Sequence, residues 1–132
     1  MTEEPEFLTL EEILEIHRDQ IDRYGGDEGI RDRGLLESAV AMPRQSFSGN
    51  YLHRDIFEMA AAYAFHLAES QAFVDGNKRT GLAAAYAFLT LNGLRLVERD
   101  DRLYEAMIAI GTRRLDKLGL AQVFRECSEA DE

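Results

Sequence analysis

The chain has 132 residues, of which 45% are hydrophobic and 30% are charged, and this length and composition fit a single folded domain over residues 1–132. Its net charge of −10, from 25 acidic and 15 basic residues, argues against DNA binding, because phosphate neutralisation needs a surface rich in lysine and arginine. No apolar run reaches the roughly 20 residues of a membrane helix, the start MTEEPEFL lacks the regions of a signal peptide, and one cysteine cannot form an internal disulfide, so we expect a cytoplasmic protein without membrane contact.

The first half of the chain predicts two helices and an irregular segment. A capping box of Thr9 and Glu12 begins the first helix, and the glycine pair at 25–26 ends it. A second, short helix covers LLESAVAM and ends at Pro43, because the residue before a proline is pushed out of the helical region. Residues 44–54 have no helical period, and their Ser, Gly and Asn predict a loop or a small hairpin.

The second half contains two helices that are apolar nearly all round. One runs from Asp55, a suitable N-cap residue, to about Ser70, and the other from about Lys78 to Leu91. Helices that are hydrophobic on every side are buried, so these two should form the centre of the domain. A short extended segment at LRLV, two helices near residues 100–112 and 116–126, and an acidic frayed tail follow. The fold class predicted is all-α, a compact bundle of about six helices.

The segment QAFVDGNKRTG, residues 71–81, joins the two apolar helices and holds an unbroken polar cluster. Asn77 is placed to cap the second helix, whose first N–H groups would then point at a ligand where the helix dipole favours negative charge. Such a helix end binds phosphate readily. Gly76 lets the backbone approach a ligand, and Lys78 and Arg79 add positive charge, with a planar fork for phosphate oxygens in the arginine.

Two further residues of the segment fit a nucleotide site. Asp75 could hold Mg²⁺, which is usually bound by one or two carboxylates together with substrate phosphates. Phe73 is expected to anchor the loop in the core. The alternative interpretation is a capped turn, because Asp-Gly and Gly-Asn pairs are turn formers. However, Lys78 and Arg79 in a first helical turn oppose the helix dipole unless an anion compensates them, so the whole cluster favours an anion site.

These residues resemble a known signature. FVDGNKRTG is similar to H-x-F-x-[D/E/N]-G-N-x-R of the Fic/Doc family, and specifically to its Doc (death-on-curing) branch, which has lysine before the arginine. The segments GIRDRGLLESAVAMP, AAAYAFHLAES and AFLTLNG resemble Doc-like toxins in the same order, so the resemblance covers nearly the whole chain. It implies a helical bundle whose motif loop joins two central helices. It also implies ATP and Mg²⁺ as cofactors, with transfer of the γ-phosphate by Doc proteins or of AMP by Fic proteins.

The resemblance further implies a role for each motif residue. Asp75 would hold Mg²⁺, residues 76–78 would form the anion hole, and Arg79 would contact nucleotide phosphates. Residues 44–54 would form the flap that aligns a segment of the target protein, a translation elongation factor in the Doc case. Lys78, in the position of the Fic glycine, favours the kinase outcome over AMP transfer.

Gln71 stands where the motif has its histidine, which is the general base of the family. Glutamine does not titrate near neutral pH, and a general base contributes a factor of about 10² to 10⁴. A loose phosphoryl transition state depends more on positioning and charge, which leaves room for residual transfer. Three explanations stay open: a subgroup that uses another base or none, a protein that binds without turnover, or an engineered substitution.

Three histidines elsewhere are weak candidates for a replacement base. His66 lies in a buried helix and is expected to be a hydrogen-bonded core residue, and His17 lies on the first helix. His53, in the expected flap, is the one for which we predict a mobile approach.

The resemblance also implies partners. No stretch of the chain fits the inhibitory helix [S/T]-x-x-x-E-[G/N] that self-regulated Fic proteins carry. Inhibition would therefore come from a separate antitoxin of the prevent-host-death type, as in a type II toxin–antitoxin pair, and the target would belong to the translation machinery. The alternative function is an inactive nucleotide- or protein-binding module, which Gln71 supports. A purely structural protein would leave the polar cluster unexplained.

Overall fold

The computed structural model describes residues 4–131 and contains six α-helices in that range, which confirms the predicted all-α bundle. They are α1 (Leu10–Tyr24), α2 (Arg33–Ala41), α3 (Ile56–Ser70), α4 (Asn77–Leu91), α5 (Arg102–Gly111) and α6 (Lys117–Glu126). Among the described residues, none of these helices has the length and apolar character that crossing a membrane requires.

Capping residues set both ends of α1 and the start of α3. The Glu12 N–H donates to Thr9 Oγ1 over 3.1 Å and the Thr9 N–H donates to Glu12 Oε1 over 2.9 Å, so the predicted capping box is present. Gly25 ends α1 with a φ of 85°, a conformation that favours glycine. Asp55 caps α3 as predicted, since its carboxylate accepts a hydrogen bond from the Glu58 N–H.

The second helix differs slightly from its prediction. It begins two residues before the predicted start, at Arg33, because the Asp32 carboxylate accepts a hydrogen bond from the Leu35 N–H and caps it there. It ends at Ala41, and a 3-10 turn over Met42–Arg44 contains Pro43.

Helices α3 and α4 pack against each other at the centre of the bundle, as their composition predicted. Nine residues of α3 and seven of α4 are buried. Their closest approach is at Gly81, where an added Cβ would lie 2.6 Å from the carbonyl oxygen of Ala64. Because backbone cannot move aside as a flexible side chain can, only glycine fits at this crossing. The largest buried side chains in and around this pair include Tyr63, Phe73, Phe88 and Phe124.

Two short antiparallel ribbons complete the fold. β1 (Ser46–Phe47) pairs with β2 (Asn50–Tyr51), which confirms a small hairpin in the segment 44–54. β3 (Leu94–Leu96) pairs with β4 (Ser128–Ala130), and Arg95 of β3 forms an ion pair with Glu129. The prediction of a frayed acidic tail is therefore wrong for β4, because main-chain hydrogen bonds to β3 hold it in place; residue 132 lies outside the described range.

Candidate functional site

The residues between α3 and α4, together with the first turn of α4, line a cavity of about 290 Å³, here called the motif cavity. Its lining consists of Gln71, Val74, Asp75, Gly76, Asn77, Lys78 and Arg79. All six predicted site residues are in this set. The chain segment 71–76, here called the motif loop, forms one side of the cavity, and the first turn of α4 forms the other.

The first turn of α4 is the part of the cavity suited to an anion. Gly76 occupies the N-cap position with a φ of 79°, in the left-handed region that glycine adopts without steric cost. The first N–H groups of a helix have no partner within the helix, and the dipole makes this end electropositive. Lys78 is exposed and Arg79 is partly exposed in the same turn.

Asn77 is not the capping residue that the sequence predicted. Gly76 occupies the N-cap position, and Asn77 is the first residue of α4. Instead its amide is 7% exposed and pairs with the backbone of Phe73: Oδ1 accepts from the Phe73 N–H over 3.0 Å, and Nδ2 donates to the Phe73 carbonyl over 2.9 Å. This pair closes the motif loop into a ring and explains why the prediction was wrong, since the side chain bonds to the preceding loop and not to the helix that follows.

Asp75 lies at the mouth of the cavity with its side chain exposed. Its Oδ2 accepts a hydrogen bond of 2.8 Å from the Asp27 N–H, and its carbonyl oxygen is 2.9 Å from His17 Nε2. Within the described residues, Oδ1 takes part in no hydrogen bond or ion pair. In the same part of the chain, no three His, Cys, Asp or Glu side chains are grouped closely enough to hold a metal ion.

The two cations of the cavity are held by different parts of the fold. Arg79 Nη2 donates to the Gly25 carbonyl over 3.2 Å, and its guanidinium carbon is 5.5 Å from the centre of the Tyr24 ring. Lys78 runs along α5, where a Cβ added to Gly111 would lie 2.7 Å from Lys78 Cε and 2.9 Å from Nζ. Neither cation forms an ion pair with a carboxylate anywhere in residues 4–131.

Residues 25–32, here called the α1–α2 loop, support the motif through contacts that were not predicted from the sequence. This loop runs antiparallel to the motif loop, with a bridge between Ile30 and Phe73. The Val74 N–H donates to the Gly29 carbonyl over 3.0 Å, and the Arg31 N–H donates to the Ala72 carbonyl over 2.7 Å. These backbone pairs join segments far apart in the chain, and no local residue pattern signals them. The charged and glycine-rich composition of this loop was the one available hint.

Gln71 ends α3 in the left-handed conformation, with φ of 53° and ψ of 36°. Its Nε2 donates to the Ala68 carbonyl over 3.1 Å, so the side chain turns back onto α3. Arg31 holds this position from outside: its Nε donates to the Gln71 carbonyl over 2.6 Å and its Nη2 to the Ser70 carbonyl over 3.2 Å. The backbone of the residue in the histidine position is thus fixed by the α1–α2 loop.

Replacing Gln71 by glycine is expected to raise the free energy of unfolding by up to about 1 kcal/mol. The left-handed conformation costs a residue with a Cβ roughly 1–2 kcal/mol, and glycine avoids this cost. The greater flexibility of glycine in the unfolded chain offsets roughly 0.5–1 kcal/mol of the resulting stabilisation. The matched control is Glu69→Gly, an exposed position inside α3, which should lower stability by about 1 kcal/mol. Urea denaturation of both variants measures the difference. Equal losses for the two would contradict the expectation.

None of the three histidines lines the motif cavity. His53 is buried, and within residues 4–131 its Nδ1 has no hydrogen-bond partner. The prediction of a mobile approach for His53 is therefore wrong, because only 7% of the residue is exposed. His66 is partly buried with Nε2 3.0 Å from Lys117 Nζ, which confirms that it is hydrogen-bonded. Burial, and next the Lys117 charge, lower the pKa of His66 from 6.5 to about 4.

This shift predicts a loss of stability on acidification. Between pH 6.5 and about 4 the unfolded chain protonates His66 while the folded chain does not. The unfolded state then binds more protons, so the free energy of unfolding falls as the pH falls through this window, and the contribution is fully present above it. His66→Gln removes the titration and keeps an acceptor for Lys117. We expect a shallower pH dependence for this variant in denaturation series from pH 7 to 4, and identical slopes would contradict the assignment.

Comparisons with known proteins agree on one family. The sequence profile of the Fic/DOC family matches residues 7–89. The chain is 41% identical over 95 residues to Toxin Doc of Mycolicibacterium smegmatis, an alignment that covers 70% of this chain and 73% of that protein. It is 30% identical over 118 residues to Protein kinase doc of Escherichia phage P1, covering 89% of this chain and 92% of that protein. The profile match includes every residue that lines the motif cavity.

Proposed function

The chain belongs to the Fic/DOC family as a Doc-type toxin, and from that premise we propose that it transfers the γ-phosphate of Mg·ATP to a hydroxyl group of a protein of the translation machinery. The observation that carries this proposal is the motif cavity at the N-terminus of α4, with its electropositive helix end and two cations that form no ion pair with a carboxylate of residues 4–131. An anion of high charge is the ligand that these groups suit.

The first turn of α4 would bind the phosphates. N–H groups at a helix start donate to phosphate oxygens, and Gly76 leaves the approach to them open. Arg79 offers a planar fork that matches two phosphate oxygens. Its hydrogen bond to the Gly25 carbonyl uses Nη2. The Asn77 side chain is committed to Phe73, so Asn77 would contribute to the anion hole through its backbone.

Asp75 would hold the magnesium ion. Its Oδ2 accepts a hydrogen bond from the Asp27 N–H, and within residues 4–131 its Oδ1 takes part in no hydrogen bond, in a residue that is exposed. A single carboxylate fits Mg²⁺, which takes its remaining ligands from substrate phosphates and water. When bound, the ion would neutralise charge on the β- and γ-phosphates.

Gln71 would reduce the rate without preventing the reaction. In the transfer, the oxygen of the target hydroxyl bonds to the γ-phosphorus, the bond to the β–γ bridging oxygen breaks, and ADP leaves. The hydroxyl proton must then pass to water or a phosphate oxygen, because the Gln71 amide cannot accept it. The same observation supports the second candidate, an inactive module that binds a nucleotide without turnover.

We also propose a cytoplasmic protein whose activity is blocked by an antitoxin of the prevent-host-death type, in a type II pair. The antitoxin partner follows in general from the Doc toxins that the chain resembles. The net charge of −10 is compatible with a basic inhibitory segment.

The test uses purified chain, Mg²⁺ and a bacterial lysate, with ATP labelled at the γ- or at the α-phosphate. We expect protein labelling from γ-labelled ATP and none from α-labelled ATP, and the controls Asp75→Asn and Arg79→Ala should lose it. Labelling from α-labelled ATP would instead favour AMP transfer. ATP binding by calorimetry without labelling from either form, in this chain and in Gln71→His, would favour the binding module, and absence of ATP binding would overturn the proposal.

Gly111→Ala is expected to lower transfer without lowering stability. An alanine Cβ would overlap the end of the flexible Lys78 side chain and displace its ammonium, while alanine is the better residue in a helix. We expect unfolding by urea at an equal or higher midpoint, together with weaker ATP binding. The control is Gly119→Ala in α6, where the nearest side chain is Leu115 and the motif cavity is untouched. Unchanged ATP affinity in Gly111→Ala would show that the position of Lys78 is unimportant.

A further inference from the structure

We propose that His17 of α1 is a positioning residue for Asp75, acting together with the main-chain N–H of Asp27. The two groups hold the carbonyl and one carboxylate oxygen of Asp75, which leaves Oδ1 for a metal ion. The inference rests on the proposed function for the role of Asp75, and on the structure for the two contacts.

The His17 ring is fixed beneath the motif loop. It is 3% exposed and stacks on Phe73, with ring centres 3.6 Å apart and planes inclined by 7°. Phe73 is itself almost fully buried and bonded through its backbone to Asn77. The orientation of the imidazole is therefore set by a rigid neighbour, and its two nitrogens point in fixed directions.

His17 Nε2 is the donor in the contact with Asp75. Its partner, 2.9 Å away, is a carbonyl oxygen, which only accepts hydrogen bonds, so the proton is on Nε2. A phenylalanine ring would stack equally well at this position and would avoid the cost of burying a polar ring. The feature that a histidine adds is the hydrogen bond to the Asp75 backbone.

The second contact is made by the Asp27 N–H at the start of the α1–α2 loop. It donates to Asp75 Oδ2 over 2.8 Å. The loop reaches Asp75 because Gly26 has a φ of 119° and no side chain, and a Cβ there would lie 3.0 Å from Asp75 Cβ. With its carbonyl held by His17 and one carboxylate oxygen held by Asp27, Asp75 has little freedom to rotate. This is the arrangement that outer partners of metal ligands commonly provide.

The test compares the dependence of ATP binding on Mg²⁺ in two variants. His17→Phe keeps the stack and removes the donor, and His17→Gln keeps an amide donor and removes the stack. Calorimetry with ATP, with and without Mg²⁺, gives the gain in affinity that Mg²⁺ provides. We expect His17→Phe to reduce that gain about 10- to 100-fold, as loss of such outer partners does, with partial rescue in His17→Gln. His66→Gln lies outside the motif cavity, where its side chain contacts Lys117 of α6; it is the matched control and should retain the gain.

A second measurement is independent of ATP. Amide hydrogen exchange of Asp27 reports its bond to Asp75 Oδ2, and we expect exchange at least 10-fold faster in His17→Phe, because a loosened Asp75 leaves that N–H free. An unchanged Mg²⁺ gain together with unchanged exchange in His17→Phe would overturn the inference. If the parent chain shows no Mg²⁺-dependent ATP binding, the proposed function fails and the exchange alone decides whether His17 positions Asp75.

Discussion

Gln71→His is expected to increase phosphate transfer by about 10²- to 10⁴-fold, the usual contribution of a general base. The substitution places a group that titrates near neutral pH at the position of the motif histidine. The backbone there is already held by Arg31 through the Gln71 and Ser70 carbonyls. Histidine also adopts the left-handed conformation of residue 71 more readily than most residues do, so we expect no rearrangement of the motif loop.

The measurement is the rate of protein labelling from γ-labelled ATP at equal concentrations of the two proteins. The rate of Gln71→His should rise with pH as the imidazole loses its proton near pH 6.5, and expression should arrest growth unless an antitoxin is present. Gln71→Ala is the control, since it removes the side chain without adding a base and should not gain activity. A folded, ATP-binding Gln71→His that labels nothing would exclude a missing base as the limiting factor and favour the binding module.

Phe73→Ala is expected to lower the free energy of unfolding by about 3–5 kcal/mol. This is a large part of the 5–15 kcal/mol by which native domains are typically stable. Phe73 is 1% exposed and stacks on His17. Its backbone is hydrogen-bonded to the Asn77 side chain, and it forms a β-bridge with the α1–α2 loop. Truncation would leave a cavity under the motif loop, remove the support of the His17 ring, and loosen the phosphate site.

Urea denaturation measures the loss, and calorimetry with ATP measures its effect on binding. Phe47→Ala is the matched control, because Phe47 lies in the β1–β2 hairpin with 75% of its surface exposed; it should change stability by less than about 0.5 kcal/mol. Phe73→Leu should lie between the two. A loss below about 1 kcal/mol for Phe73→Ala would mean that the loop collapses onto the core and that Phe73 is not its anchor.

Much of the candidate site could be predicted because its residues are neighbours in the chain. A cluster of polar residues between two apolar helices must lie where those helices join, and all six predicted residues line one cavity there. The two wrong predictions for this region concern the surroundings of single side chains. Asn77 was expected to cap α4 but pairs with Phe73, and His53 was expected to be mobile but is buried. Both depend on distances that residue type and spacing do not specify.

The supports of the site could not be predicted in the same way. His17, Asp27 and Arg31 contact the motif loop from positions 58, 48 and 40 residues away in the chain. Backbone carbonyl and carboxylate oxygens accept hydrogen bonds from many kinds of donor, so these contacts leave no residue pattern in either segment. Their partners appear only when α1 and α4 are packed side by side.

By itself, the sequence determined the helices, the caps of α1 and α3, the buried central pair and the composition of the motif, because these depend on local propensity and on the period of apolar residues. The tertiary structure decided which oxygen of Asp75 accepts the Asp27 N–H, how the residue at position 71 is held, and that the tail forms β4 instead of fraying. These features depend on contacts between distant segments, and such contacts exist only after the chain has buried its core.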